Sequence, residues 1–189
     1  MQRIFLIHGW TGRPTRDWFL WAKKALEEKG FEVHVPEMPD PDYPKIEPWI
    51  AKVKETVGDP RSNDILIGHS MGCQAILRYL QTLPESSKVG KVILVAGFEN
   101  LKDAAFVALE DWETFKPWKK APINYGKIKQ MAGSWTALFS DDDPYVSYED
   151  NHKIFRDKLG AKIVLEHGMG HFSQEDGIRK LPILLKLIK

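Results

Sequence analysis

The segment Ile65-Leu66-Ile67-Gly68-His69-Ser70-Met71-Gly72 sets narrow limits on the fold. An apolar run without polar alternation, typical of a strand covered on both faces, passes directly into residues 71–83, whose apolar positions recur at helical spacing. Only a tight strand-to-helix turn joins two such elements. Glycines two residues either side of Ser70 supply the missing side-chain bulk that such a turn needs. A strand buried on both faces in turn requires a sheet with helices packed against each side.

The remainder of the chain repeats this alternation. Short apolar runs at 4–7, 31–35, 65–67, 92–96, 135–139 and 162–165 read as six strands. Trp18, Trp21, Ala22, Ala25 and Leu26 form one face of a helix ending near Gly30, and 46–57, 71–83, 148–159 and 178–188 read as helices too. Strand alternating with helix implies right-handed crossovers and a parallel α/β sheet with helices on both faces. At 189 residues, with no Pro-, Gly- or Ser-rich linker, residues 1–189 read as a single domain. The rhythm breaks at about 98–129, a long connection carrying Trp112, Phe115, Trp118 and Tyr125.

Charge and composition exclude several classes of partner. The chain has 27 basic and 26 acidic residues, a near-balance that gives no reason to expect nucleic acid or an anionic membrane. No run approaches the ~18–20 apolar residues of a membrane span, and the first apolar run is too short for a signal segment, so a cytoplasmic protein is expected. The lone cysteine, Cys73, rules out an internal disulfide and a Cys-rich zinc site. Neither a phosphate-binding glycine loop nor metal-ligand spacing occurs, so no cofactor and no metal are expected.

The chemistry follows from the Gly-x-Ser-x-Gly turn. It exposes a serine hydroxyl at the end of a strand and directs the N–H groups of a helix start at a developing negative charge. Ser70 is therefore the candidate nucleophile. A free hydroxyl is a poor nucleophile near neutral pH, so a base is needed. With this turn the acid and then the histidine follow the serine in chain order. His152 falls in a helix among charged residues. His167 and His171 both follow the last strand, and His171, after two glycines, is the better placed to turn inward. The acid comes from Asp141, Asp142 or Asp143, after the fifth strand; spacing does not choose among them, and the two not used should face water. For the oxyanion, the backbone N–H of Met71 is one candidate donor and that of Trp10, in His8-Gly9-Trp10-Thr11-Gly12, the second. His8 reads as a brace for that loop. The short stretch 104–120, bearing Trp112, Phe115 and Trp118, is expected to lay aromatic side chains over the site, with Trp10, as an aromatic rim for a small acyl substrate.

These residues resemble the α/β-hydrolase superfamily, and more closely its small serine-hydrolase family typified by retinoblastoma-binding protein 9. The resemblance spans nearly the whole chain. It includes Trp18-Phe19-Leu20-Trp21, Met38-Pro39-Asp40-Pro41, Trp49, Ile67-Gly68-His69-Ser70, Lys116-Pro117-Trp118, Asp142-Asp143-Pro144 and Gly170-His171-Phe172. It implies a catalytic acid just before the proline, Asp143, with Ser70 and His171 as nucleophile and base. It also implies a six-stranded core with a minimal cap and esterase-like activity on small acyl substrates. Amide or thioester hydrolysis with the same triad is the alternative, and a non-catalytic interaction protein on the same scaffold is a second. The Leu-x-Cys-x-Glu motif through which the family's namesake binds a pocket protein is not matched: Cys73 is preceded by Met71 and followed by Ala75 at that spacing. No protein partner is carried over.

Overall fold

The computed structural model describes residues 1–103, 105 and 112–188. Six strands form one parallel sheet: β1 (Arg3–Ile7), β2 (Glu32–His34), β3 (Ile65–His69), β4 (Val89–Val95), β5 (Ala132–Ser140) and β6 (Lys162–Glu166). Their order is β2-β1-β3-β4-β5-β6. The helices are α1 (Phe19–Glu27), α2 (Ile46–Val57), α3 (Met71–Thr82), α4 (Trp112–Lys120), α5 (Tyr125–Ile128), α6 (Tyr148–Leu159) and α7 (Pro182–Leu187), with a 3-10 turn at Lys129–Met131.

The two faces of the sheet follow from strand alternation. Ile4, Leu6, Ile65, Ile67, Ile93 and Val95 pack with α1 and α7 around Phe19, Ala22, Leu26 and Leu184. Phe5, Ile7, Leu66, Val92 and Leu94 face the opposite layer, where Trp49, Val53, Ile76, Leu80, Ile128 and Phe155 come from α2, α3, α5 and α6. α3 is buried from Met71 through Leu80, which its largely apolar sequence allows. Because all strands are parallel, their C-terminal ends meet at one edge, where a site in an α/β sheet is built.

Element boundaries depart from the sequence pattern where glycine or proline intervenes. β4 and β5 each begin three residues earlier than their apolar runs. Gly90 and Gly133 interrupt the apolar pattern, yet the strands run on through both. A Cβ on Gly133 would come within 2.8 Å of the Gly90 carbonyl oxygen. The last helix is much shorter than 178–188, because Pro182 occupies its first turn and holds Leu181 in a non-helical conformation (φ −129°, ψ 72°). Of the long connection, the part at 104 and 106–111 lies outside the described residues. Among the described residues, no helix is long and apolar enough to cross a membrane.

Candidate active site

Ser70 sits between β3 and α3 with φ 52° and ψ −118°, a conformation that costs a non-glycine residue energy. Both flanking glycines are required sterically. A Cβ on Gly68 would lie 2.6 Å from the Cys73 nitrogen, and one on Gly72 would overlap the carbonyl oxygen of Ile7. The turn is fixed by Ser70 N–H donating to the Val95 carbonyl at 2.9 Å and Cys73 N–H donating to the Ser70 carbonyl at 2.9 Å. Cys73 lies behind the turn, fully buried, its thiol donating to Val95 at 3.4 Å. Burial pushes that thiol's pKa up, away from the reactive thiolate.

The loop after β6 brings His171 to the same edge. Its Nδ1 lies 2.9 Å from Asp143 Oδ2, in a pair that is almost wholly buried. The other oxygen of Asp143 accepts from the backbone N–H of Tyr145 (2.8 Å) and Val146 (2.9 Å), which aims the carboxylate at the imidazole. The His171 ring is flanked by His69 on one side and Tyr145 on the other, each 5.1 Å away between ring centroids.

Asp141 and Asp142 are exposed, as the sequence suggests, but each is also held by hydrogen bonds. Asp141 holds His167 Nδ1 at 2.6 Å and Gly168 N–H at 3.0 Å. Asp142 holds the Ser140 hydroxyl at 2.6 Å and Gly170 N–H at 2.8 Å. Each set of bonds favours the charged form: His167 foremost pulls the Asp141 pKa down, and Ser140 that of Asp142. Repulsion among three carboxylates is thus offset by three separate donor sets from the histidine loop and its surroundings.

Ser70 and His171 line a cavity of about 370 Å³. One wall is apolar, from Phe98, Leu101, Phe115 and Tyr145; the other is polar, from Arg16, Asp17, Ser173 and Asp176. Trp10 lines the cavity too, its indole N–H donating to the Asp42 carbonyl at 2.9 Å. Among the described residues, no backbone carbonyl accepts from the backbone N–H of Trp10 or of Met71. His8 braces the Trp10 loop as expected: its Nδ1 donates to the Gly9 carbonyl and its Nε2 accepts from Met38 N–H. Burial lowers its pKa and keeps it neutral.

Two expected rim residues are elsewhere. Trp118 is buried against Trp49 under the Arg78 guanidinium, its indole N–H donating to the Pro44 carbonyl at 2.8 Å. Trp112 is 38% exposed and packs on Phe115 outside the cavity. Aromatic content marked the right segment, but helical phase decides the inward residue, and α4 turns Phe115 toward the cavity. Sequence reasoning also missed His69 and Asp176. The first was hidden beside the nucleophile and the second in a polar turn, Gln174-Glu175-Asp176-Gly177, that carries no periodic signal.

A family model for serine hydrolases matches residues 4–189. The chain belongs to the serine hydrolase family. This serine hydrolase is 28% identical over 187 residues to the putative hydrolase YdeN of Bacillus subtilis (strain 168), covering 99% of this chain and 94% of that one. The solved structure of the ydeN gene product superposes with a TM-score of 0.89 at 27% identity, covering 100% of this chain and 97% of the other. The serine hydrolase RBBP9 of Rattus norvegicus is 28% identical over 169 residues, 86% of this chain and 81% of its own length. Among the described residues, no cluster of three or more His, Cys, Asp or Glu could hold a metal ion.

Proposed function

We propose that this hydrolase cleaves small carboxylic esters through an acyl-enzyme, with Ser70 as nucleophile, His171 as base and Asp143 as the acid. The observation that carries this reading is the buried His171–Asp143 pair, 2.9 Å apart, beside a cavity lined by a serine in a strained strand-to-helix turn. Asp143 accepts from Nδ1–H and so leaves the lone pair on Nε2, the tautomer a base needs.

Ser70 Oγ attacks the ester carbonyl carbon while its proton passes to His171 Nε2. The carbonyl oxygen takes the negative charge and accepts hydrogen bonds from the N–H groups of Met71 and Trp10. When the tetrahedral intermediate collapses, the bond to the alkoxy oxygen breaks. The proton on His171 goes to that oxygen and the alcohol leaves. Water then attacks the Ser70 ester, giving its proton to His171, and the acid departs as Ser70 recovers its own. The apolar wall of Phe98, Leu101, Phe115 and Tyr145 would hold the acyl chain.

The test is labelling with a fluorophosphonate, alongside turnover of a panel of esters, thioesters and aminoacyl amides. Ser70→Ala should abolish labelling and lower ester turnover by roughly 10³-fold or more. Undiminished labelling of that variant would remove Ser70 from its role. Faster turnover of thioesters or amides would move the activity to that class with the same residues.

A further inference from the structure

The loop that carries His171 has no strand or helix to hold it. Gly168, Gly170 and Phe172 all have positive φ, at 65°, 50° and 57°. Its backbone groups must therefore find other partners. Side chains supply them in succession: Asp141 takes Gly168 N–H, the Ser140 hydroxyl takes Met169 N–H, and Asp142 takes Gly170 N–H. Two further bonds act on His171 itself. Its N–H donates to Asp176 Oδ2 at 2.8 Å, and its carbonyl accepts from His69 Nε2 at 2.7 Å. The same Asp176 oxygen takes Ser173 N–H at 3.1 Å and the Ser173 hydroxyl at 2.7 Å. Any side chain on Gly170 would overlap the Asp176 carboxyl, so the fit between them is close.

His69 is committed to this bond. Because Nε2 donates to a carbonyl, Nδ1 carries no proton, and it is buried without a partner among the described residues. Leaving a polar atom unsatisfied costs free energy, and a phenyl ring would fill the space between Trp18, Phe19 and His171 without that cost. What a phenyl ring lacks is the N–H.

We propose that His69 and Asp176 are positioning residues for the base, clamping the His171 backbone from its carbonyl and its N–H so that the imidazole stays on Asp143 at the cavity it shares with Ser70. This rests on the reading of His171 as the base. Neither residue touches the reacting atoms in this scheme. A displacement of about 1 Å in a reacting group can cost on the order of 10²-fold in rate, and that is the scale of effect the clamp prevents.

The test measures kcat and KM on p-nitrophenyl acetate for His69→Phe and Asp176→Ala, with His69→Gln and Asp176→Asn as variants that keep a donor or an acceptor in place. The Phe and Ala variants should lose roughly 10- to 100-fold in kcat with KM within about threefold, and the Gln and Asn variants should return to within about threefold of the parent. The low-field proton resonance of His171 Nδ1–H should be lost in the first pair and kept in the second. If His69→Phe fails to fold, the exposed Asp176 carries the test alone. Unchanged kcat in Asp176→Ala, or a loss that follows melting temperature and is not recovered by the conservative variants, overturns the clamp. His171→Ala separates the two claims: if it retains turnover, the base assignment itself fails, whereas a dead His171→Ala beside active clamp variants overturns the clamp alone.

Discussion

Three adjacent carboxylates, Asp141, Asp142 and Asp143, have the same chemistry and three different surroundings. Asp143 is buried with two backbone donors on one oxygen and His171 on the other, whereas Asp141 is exposed and pairs with the exposed His167. Removing charge at 143 while keeping its shape should strand the imidazole in the wrong tautomer. Asp143→Asn is expected to lower kcat by about 10⁴-fold, while Asp141→Asn, whose His167 partner lies outside the cavity, should stay within about twofold. A loss at 141 as large as that at 143, measured on one ester, would transfer the acid's role. Residue chemistry and spacing locate this acidic turn but cannot rank its members; only the family resemblance points to Asp143. Local donors hold Asp142 and Asp143, but each of the three also takes its own partner from the histidine loop, 26–28 positions further along the chain, and spacing along the chain carries no trace of that pairing. Ser70 is the opposite case, because the steric demand of its turn is met by glycines at fixed offsets in the chain itself.

The β3–α3 unit joins the nucleophile to the histidine loop through His69, and this has a consequence for stability. Burial, and next to it the nearby His171, push the His69 pKa from its ordinary 6.5 down to about 4. The unfolded chain therefore binds a proton at this site at pH values where the folded chain does not. Stability tied to His69 is complete above pH 6.5 and is lost as pH falls toward 4, by about 3 kcal/mol at the acid end. His8, also buried neutral, acts in the same direction. Melting temperature should fall between pH 7 and pH 4.5, and His69→Gln, which does not titrate, should give a shallower slope; identical slopes would mean that other groups govern acid unfolding. Among the elements themselves, α2 and α6 are readable to the residue because their apolar faces run unbroken between clear ends. β4, β5 and α7 are not, because Gly90, Gly133 and Pro182 carry local signals whose meaning depends on the neighbouring strand or the tertiary fold.

Over the whole molecule, one sheet with two apolar layers leaves a single edge for chemistry, and the cavity there, at about 370 Å³, lies toward the small end of the roughly 300–1,000 Å³ typical of ligand sites. If an acyl chain lies along its apolar residues as proposed, a few methylenes would gain about 0.8 kcal/mol each, and a cavity of this volume would hold few more. In a series from acetyl to palmitoyl esters, kcat/KM should peak at hexanoyl or below, and Phe115→Ala should move the peak to longer chains. A rate still climbing at palmitoyl would mean that the acyl chain follows another path. The short stretch 104–120 gives the same expectation in the sequence, and the aromatic and apolar lining of the cavity comes from Phe98, Leu101, Phe115 and Tyr145, without Trp112 or Trp118. Burial of Cys73 behind the nucleophile has a practical corollary. A fully buried thiol should not react with maleimides in the folded chain, so a cysteine introduced in place of an exposed residue such as Leu20 or Tyr43 would be the sole attachment point for a fluorophore or spin label, and Cys73 would not have to be replaced.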